Sequence, residues 1–295
     1  MRRHTAALLP LLLMLASPPL QAAVTVLDDS GRQVSLTRPA QRVVAVSPHA
    51  TELLFAAGGA GKVVGVVKHS DFPAAAASLP QIGDSNQIDI ERVLALKPDL
   101  LVVWQSGNTA RQLEQLRGLG IPMYYSEPQQ LDQIAGDIDK LGQLMGTGAV
   151  ARQAAAHFRQ RIAALRARHA GRPKVSVFYQ VWDKPLFTLG GKQIVNDIIT
   201  LCGGSNVFAA STVKAPQVTI EAVLAANPEV VFSGERYNAD ELGALMWKPY
   251  RGLLATQRDN LFILQGARLV RPGPRVAEGA AELCDKLELA RQRRR

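Results

Sequence analysis

Two segments of this chain are similar, with seven of eighteen aligned residues identical, and this duplication constrains the fold more than any other feature. The first, QIDIERVLALKPDLLVVW, begins at Gln87, and the second, QVTIEAVLAANPEVVFSG, begins at Gln217. Their separation is far wider than the period of solenoid repeats, which is roughly 20–50 residues. The duplication therefore predicts two similar lobes rather than a stack of short repeats.

Short apolar, β-branched runs alternate with helical patterns on both sides of each repeat. RVVAVS from Arg42, DLLVVW from Asp99 and EVVFSG from Glu229 are continuously apolar rather than alternating. Continuously apolar strands that are each followed by a helix are typical of parallel sheets covered on both faces. The sequence thus predicts an α/β, doubly wound fold, with mainly parallel sheets in two Rossmann-like lobes.

The longest helical pattern lies between the two lobes. Its apolar residues recur at intervals of three and four, as expected for one face of a helix. These residues are Val150, Ala154, Ala155, Phe158, Ile162 and Leu165. We therefore expect one long helix to join the lobes and to restrict how far they open. The predicted boundaries are 23–147 for the N-terminal lobe, 148–171 for the bridging helix and 172–295 for the C-terminal lobe.

Residues 1–22 have the pattern of a secretory signal peptide. Arg2-Arg3 precede an apolar run from about Ala6 to Ala16, and small residues follow at Ala22-Ala23. The apolar run is too short for a bilayer core of roughly 30 Å, which disfavours a membrane anchor. We expect cleavage after Ala22 and export of a soluble mature chain.

Charge and cysteine content exclude several classes of protein. The net charge is +9, but much of it comes from Arg2-Arg3 and the tail RQRRR at 291–295. Basic residues do not alternate with aromatic ones along any stripe, so nucleic acid is not an expected partner. Cys202 and Cys284 are the only cysteines. In an oxidising compartment this pair predicts one disulfide, and the spacing excludes a redox CxxC or a cysteine metal site.

Each repeat carries a glutamate at the start of a predicted helix. Asp89 and Thr219 are good N-cap residues, which place Glu91 and Glu221 in the first helical turn. A carboxylate there interacts favourably with the helix dipole, and this explanation suffices for either helix alone. Because both lobes carry the pattern, the two carboxylates would also suit docking to a basic partner with two-fold symmetry.

The chain resembles the periplasmic substrate-binding proteins of the vitamin B12, haem and ferric-siderophore importers, both in the repeated segments and elsewhere. The resemblance covers essentially the whole mature chain and is carried by RVVAVSPHATELLFAAG, SDFPAAA, ERVLALKPDLLVVWQSGN, RQLEQLRGLGI, PQVTIEAVLA and PRVAEGAAELC. It implies a monomeric periplasmic protein with two Rossmann-like lobes and one bridging helix. It also implies that Glu91 and Glu221 dock onto the two permease subunits of an ABC importer, which also has ATPase subunits, and that Cys284 pairs with Cys202.

The resemblance further implies that a small molecule binds in the cleft between the lobes, outside the carboxyl ends of the strands. The predicted ligand is a corrinoid, vitamin B12, and the alternative is a ferric siderophore or haem. No bound cofactor is expected. The predicted ligand-binding residues are His69, Ser85, Trp104, Trp182, Arg268, Arg271, Pro272 and Gly273.

Several of these positions differ from the corrinoid-binding members of the family. His69 replaces a tyrosine, and Ser85 and Arg268 each replace a tryptophan, whereas Trp104 matches. His69 therefore has two interpretations, cobalt coordination through its imidazole or simple hydrogen bonding. Arg268, Arg271 and Arg275 could meet an anionic siderophore or be ordinary surface residues.

The sequence lacks the usual catalytic motifs. No GxSxG nucleophile elbow occurs, and GGAGKVVG matches neither GxGxxG nor a P-loop. Ser47 and His49 are close in sequence, but no carboxylate can be assigned to them. We expect a binding protein and not an enzyme.

Overall fold

A computed structural model describes residues 23–84, 86–235 and 241–294 of the chain. The predicted signal peptide and the candidate ligand residue Ser85 lie outside these ranges. Within them, no helix has both the length and the apolar character needed to cross a membrane.

The N-terminal lobe contains a small hairpin and a parallel sheet with its helices. Its strands are β1 (Val24–Leu27), β2 (Gln33–Leu36), β3 (Val43–Ala45), β4 (Val63–Val66), β5 (Leu100–Trp104) and β6 (Met123–Ser126). Its helices are α1 (Pro48–Ala56), α2 (Ile90–Ala95), α3 (Ala110–Arg117) and α4 (Leu131–Met145), with a 3₁₀ helix at Ala74–Ser78. The antiparallel hairpin is β1-β2, and the parallel sheet has the order β4-β3-β5-β6.

A single helix of 22 residues, α5 (Gly148–His169), connects the lobes. Its buried stripe comprises Ala151, Ala155, Phe158 and Ile162. Val150 was predicted to belong to this apolar face but is 53% exposed. Successive helical residues are about 100° apart around the axis, so Val150 lies beside the stripe that Ala151 begins.

The C-terminal lobe repeats the α/β arrangement. Its strands are β7 (Val175–Trp182), β8 (Phe187–Thr188), β9 (Gly204–Asn206), β10 (Val230–Gly234) and β11 (Leu261–Leu264). Its helices are α6 (Ile194–Leu201), α7 (Ile220–Ala226), α8 (Leu254–Gln257), α9 (Ala267–Val270) and α10 (Val276–Gln292), with a 3₁₀ helix at Gly243–Trp247. Strands β11, β10, β7 and β9 pair in parallel, and only the short β8 pairs antiparallel, with the end of β7.

The two lobes share one hydrophobic core. It runs from Val43 and Leu100 in the first sheet, through Ala155 and Phe158 of α5, to Val177 in the second sheet. Cys202 at the end of α6 is disulfide-bonded to Cys284 in α10, as the sequence predicts. The predicted α/β fold with mainly parallel sheets is confirmed, and the continuous core explains why a single helix can hold both lobes together.

Candidate functional site

Ion pairs join the two lobes across the cleft. The pairs are Arg275–Glu52 at 2.6 Å, Arg271–Asp71 at 2.7 Å and Lys214–Glu127 at 2.6 Å. The acidic partners all come from the N-terminal lobe and the basic ones from the C-terminal lobe. Glu127 follows directly after β6, and Asp71 lies in the loop beyond β4. The carboxyl ends of the first sheet therefore face the second lobe.

A cavity of about 400 Å³ opens in the cleft on the side of the C-terminal lobe. The ends of β7 and β10 and the α9 segment supply its walls, among them Tyr179, Trp182, Asp183, Ser233, Ala267 and Arg271. A concave site at the carboxyl ends of parallel strands is where α/β folds bind small molecules. This cavity is the best candidate for the ligand site.

Apolar side chains are unusually exposed around this cavity. Trp182, at the end of β7, is 39% exposed and lines the cavity together with Val181 and Val270. Phe72 of the other lobe and Leu242 are exposed to a similar degree. Clustered apolar exposure of this kind marks a binding surface, so the cleft offers apolar faces to a ligand.

Trp104 occupies the corresponding strand end in the N-terminal lobe. Contacts of its backbone and of its indole fix its position. The backbone N–H of Trp104 donates to Oδ1 of Asn108 at 2.8 Å, and the side-chain amide of Asn108 donates to the Val46 carbonyl at 3.1 Å. The His49 ring meets the indole edge-on, with ring centroids 5.3 Å apart. Gly107 lies against the indole so closely that a Cβ there would overlap the ring.

A buried polar network continues from His49 into the N-terminal lobe. The His49 ring lies 3.1 Å from the Ser47 hydroxyl through Nδ1 and 3.3 Å from the Ser126 hydroxyl through Nε2. The Ser126 hydroxyl donates to Asp137 at 2.9 Å, and the Tyr124 hydroxyl donates to the same carboxylate at 2.7 Å. Complete burial lowers the pKa of His49 to about 4, so the ring is neutral at pH 7.

The pKa of Asp137, within this network, is raised above its usual value. Burial is the main cause, and the neighbouring Asp29 carboxylate adds repulsion. Lys140 contacts both carboxylates, at 3.2 Å from Asp29 and 3.5 Å from Asp137, and moderates this effect. Ser47, His49 and Asp137 are thus buried structural groups, and their hydrogen bonds support the strand ends beneath Trp104.

The arginines predicted to bind ligand are engaged with carboxylates. Arg271 lines the cavity but pairs with Asp71, and Arg268 lies 3.5 Å from Glu278 of α10. Partial burial raises the pKa of Asp71, but the hydrogen bond and charge of Arg271 outweigh this and lower it overall. The charges of these arginines are therefore already compensated.

The remaining predicted contacts lie at the inter-lobe junction. His69 is exposed, two residues before Asp71, and has a left-handed backbone with φ of 63°. Pro272 and Gly273 are buried. A Cβ on Gly273 would lie 2.9 Å from Oε2 of Glu52, so this glycine allows the two lobes to approach closely.

Glu91 and Glu221 are exposed in the first turns of α2 and α7. As predicted, Asp89 caps α2 by accepting the Arg92 N–H at 3.0 Å, and Thr219 caps α7 through the Ala222 N–H at 3.2 Å. Besides their different cap residues, the two helix starts differ in the residue after the glutamate. Arg92 forms an ion pair with Asp89 at 3.0 Å, whereas Ala222 stands at the equivalent position of α7.

Sequence reasoning missed Glu52, which the structure places at the centre of the inter-lobe contact. This glutamate occurs within the apolar helix pattern HATELLFAAG. A charged residue on the buried side of such a helix indicates an ion partner elsewhere in the fold. The sequence therefore indicated that Glu52 has an ion partner, but it did not indicate which residue that partner is.

Two α/β lobes, one bridging helix and a cavity in the cleft define a bilobed binding protein. Comparison with known proteins agrees, since residues 43–251 match the family model described as "Periplasmic binding protein". The chain belongs to the periplasmic binding protein family, which confirms the predicted class and its periplasmic location.

Curated relatives match the chain along most of its length. The vitamin B12-binding protein of Vibrio cholerae is 38% identical over 255 residues, covering 86% of this chain and 91% of the relative. That of Yersinia pestis is 41% identical over 256 residues, covering 85% and 89%.

Solved structures show the same likeness. The periplasmic vitamin B12-binding protein of Vibrio cholerae has a TM-score of 0.80 and covers 86% of this chain and 98% of its own. The periplasmic haem-binding protein of Roseiflexus is 25% identical, with a TM-score of 0.74, and covers 85% and 99%. Both relatives are named as binding proteins.

Proposed function

We propose that this protein captures a corrinoid, vitamin B12, in the inter-lobe cleft and delivers it to the permease of an ABC importer. It acts without catalysis, after export and removal of residues 1–22. The curated relatives named as vitamin B12-binding proteins support the choice of ligand.

The charge of the cavity is the observation that carries the choice of ligand. The described part of its lining contains the carboxylates of Asp183, Glu235 and Glu241 but a single arginine, Arg271, which is paired with Asp71. Such a lining disfavours an anionic ferric siderophore, because carboxylates outnumber cations among its described residues and would repel the ligand's charge. It suits a neutral amide rim, whose N–H groups donate to carboxylate oxygens.

The apolar surfaces of the cleft fit the faces of a flat corrin ring. Trp182 contributes from the C-terminal lobe and Trp104 from the N-terminal lobe, each at the end of its strand. Ligand pockets combine such aromatic walls with a few polar groups that fix orientation. We propose Trp104 and Trp182 as the apolar contacts. His69, Ser85, Arg268, Arg271, Pro272 and Gly273 are proposed to shape the rim and the lobe junction.

We propose that Glu91 and Glu221 form the docking contacts with the permease. Their exposed carboxylates occupy equivalent positions on the two lobes, at the starts of α2 and α7. A partner with two-fold symmetry would meet both with the same basic residues. In this arrangement a monomer of the binding protein docks onto a pair of permease subunits.

Haem is the second candidate ligand. The haem-binding relative of Roseiflexus shares the fold, and the exposed His69 offers an imidazole near the inter-lobe contact. The acidic lining of the cavity disfavours the propionate groups of haem. Titration of the mature protein with cyanocobalamin, haemin and a ferric siderophore, followed by calorimetry and visible absorption, tests this choice. Saturable binding of haemin or siderophore without binding of cyanocobalamin would refute the corrinoid proposal.

A further inference from the structure

A second cavity, of about 420 Å³, lies away from the cleft at the opposite edge of the C-terminal lobe. The end of α5, the segment that leads into β7 and the end of α6 surround it. Its lining includes the cationic side chains of Arg166, Arg172 and Lys174. Asp197, the carboxylate of the described lining, already accepts the Leu131 N–H at 2.8 Å.

The imidazole of His169 lines the same cavity without any hydrogen-bond partner. The residue is only 4% exposed, and among the described residues neither Nδ1 nor Nε2 has a donor or acceptor within reach. Buried polar groups in folded proteins are almost always paired, with protein, water or an ion. An imidazole left unpaired beside three cations therefore indicates a ligand that completes the site.

The dipole of α5 accounts for only some of the basic residues that line this cavity. Basic residues in the last turn of α5, such as Arg166, complement the negative end of the helix dipole. Arg172 and Lys174 lie beyond the last turn of α5, where interaction with the helix dipole is weak. Among the described residues, Arg166 and Arg172 have carboxylates only at long range, Asp132 at 3.8 Å and Glu288 at 3.9 Å, where ion pairs are weak and partly solvated.

More positive charge lies beneath the cavity. Arg291 is largely buried, where it donates to the carbonyls of Cys202 at 2.7 Å and Pro173 at 2.9 Å and pairs with Glu288. Burial lowers the pKa of His169, and the charges of Arg168 and Arg291 lower it further. Glu288 and Asp285 partly oppose this effect. A bound anion would oppose this lowering of the pKa and could accept a hydrogen bond from a ring N–H.

We propose that this cavity binds a phosphate-class oxyanion, as free phosphate or as the headgroup of a phospholipid. Arg166, Arg172 and Lys174 supply charge-assisted hydrogen bonds, and a small movement of the His169 ring lets it donate to an anion oxygen. Arginine and lysine are the side chains that recognise phosphate oxygens in this way. The inference is independent of the ligand in the cleft, because the two cavities share no lining residue.

The first test is an NMR titration of the histidine ring signals in the mature protein with inorganic phosphate at constant ionic strength. A His169→Gln variant identifies the His169 signal. The expected result is a saturable shift of that signal and a higher His169 pKa in phosphate. Arg172→Gln and Lys174→Gln should each weaken the affinity about tenfold, which corresponds to 1.4 kcal/mol. Lys248→Gln, which removes an exposed cation outside the cavity, should leave it unchanged.

The second test separates the two sources of phosphate. A lipid headgroup is assigned if the protein co-sediments with phosphatidylglycerol vesicles but not with phosphatidylcholine vesicles. This co-sedimentation should be lost in Arg172→Gln and Lys174→Gln. A saturable phosphate shift without vesicle binding assigns the free anion. The proposal is overturned if neither probe binds, or if binding is equal in the two variants and the unaltered protein.

Discussion

Arg275 of the C-terminal lobe donates two hydrogen bonds across the cleft to the carboxylate of Glu52 in the N-terminal lobe. Nη2 donates to Oε1 at 2.6 Å and Nε donates to Oε2 at 3.2 Å. The Glu52 side chain is 2% exposed and that of Arg275 17%. The guanidinium also lies over the ring of Phe72, 4.3 Å from its centroid. This pair therefore joins the lobes at the edge of the ligand cleft.

The Arg275–Glu52 pair should matter for stability because its removal leaves a buried carboxylate without a partner. Burial already raises the pKa of Glu52, and the hydrogen bonds and charge of Arg275 oppose the rise. We expect Arg275→Ala to lower the free energy of unfolding by about 3 kcal/mol, as in other broken buried pairs. Urea denaturation followed by circular dichroism measures this change.

Arg268 provides the matched control for that experiment. Its pair with Glu278 is longer, at 3.5 Å, and both side chains are about 40% exposed. Arg268→Ala should therefore change the free energy of unfolding by less than about 1 kcal/mol. Equal effects of the two substitutions would contradict the structural role assigned to Glu52.

Because His49 is buried and neutral, we expect the free energy of unfolding to fall in mild acid. Its pKa is about 4 in the folded protein, below the usual 6.5. As the pH falls from about 6.5 towards 4, the unfolded chain takes up a proton that the folded protein cannot. This group alone should lower the free energy of unfolding by up to about 3 kcal/mol across that window. Urea denaturation at a series of pH values measures the slope.

The pH dependence attributed to His49 can be isolated with two variants. His49→Gln retains a hydrogen-bonding side chain but cannot titrate, so the slope between pH 6.5 and 4 should become shallower. His157→Gln removes an exposed histidine from α5 and should leave the slope unchanged. A slope that survives in His49→Gln would show that other groups are responsible.

Gly107 is expected to hold Trp104 in its observed orientation. A methyl group at this position would overlap the indole, so Gly107→Ala must displace the ring. We expect about tenfold weaker cyanocobalamin binding, with a changed near-ultraviolet circular dichroism spectrum. Gly61→Ala is the control, because a Cβ there has no heavy atom within 4 Å. Unchanged affinity in Gly107→Ala would remove Trp104 from the proposed ligand contacts.

Much of the fold could be predicted from the sequence because its signals are local. The continuously apolar segments VVA, LLVVW and VVFSG became β3, β5 and β10, and the long periodic segment became α5. The strands β8 and β9 were not predicted, since they have only two and three residues and depend on pairing with β7. Unlike β3, which lies within a longer apolar run, these strands have the sequences FT and GSN and carry no apolar pattern that could reveal them.

The site could be predicted only in part, because its contacts join residues far apart in the chain. Trp104 could be placed at the end of its strand, Trp182 was a predicted ligand contact, and the sequence also indicated the caps at Asp89 and Thr219. The pairing of Arg271 with Asp71 could not be foreseen from the sequence, although Arg271 was a predicted ligand contact. Which cations are free and which are compensated depends on how the lobes meet, and no local pattern encodes that.

The docking proposal predicts that ligand binding and transport can be separated. Glu91→Arg/Glu221→Arg should abolish cyanocobalamin uptake, because both changes place a cation opposite basic residues of the permease. The ligand affinity should remain unchanged, since neither residue lines the cavity. Uptake is measured in cells that carry the cognate importer but lack their own binding protein.

The control for this double variant is Asp132→Arg, which alters an exposed carboxylate in the first turn of α4. It imposes the same unfavourable charge on a helix dipole without changing the proposed docking surface. Uptake should stay near the level of the unaltered protein. Normal uptake by the double variant would refute the docking role of Glu91 and Glu221.

The most direct test of the corrinoid proposal is a calorimetric titration of cyanocobalamin into the mature protein and two variants. Trp182→Ala removes the aromatic wall of the cavity, and Leu27→Ala removes an exposed apolar side chain of the distant hairpin. We predict one-to-one binding to the unaltered protein and to Leu27→Ala, and at least about tenfold weaker binding to Trp182→Ala. No saturable binding to the unaltered protein, or equal binding by all three, would contradict capture of a corrinoid in this cleft.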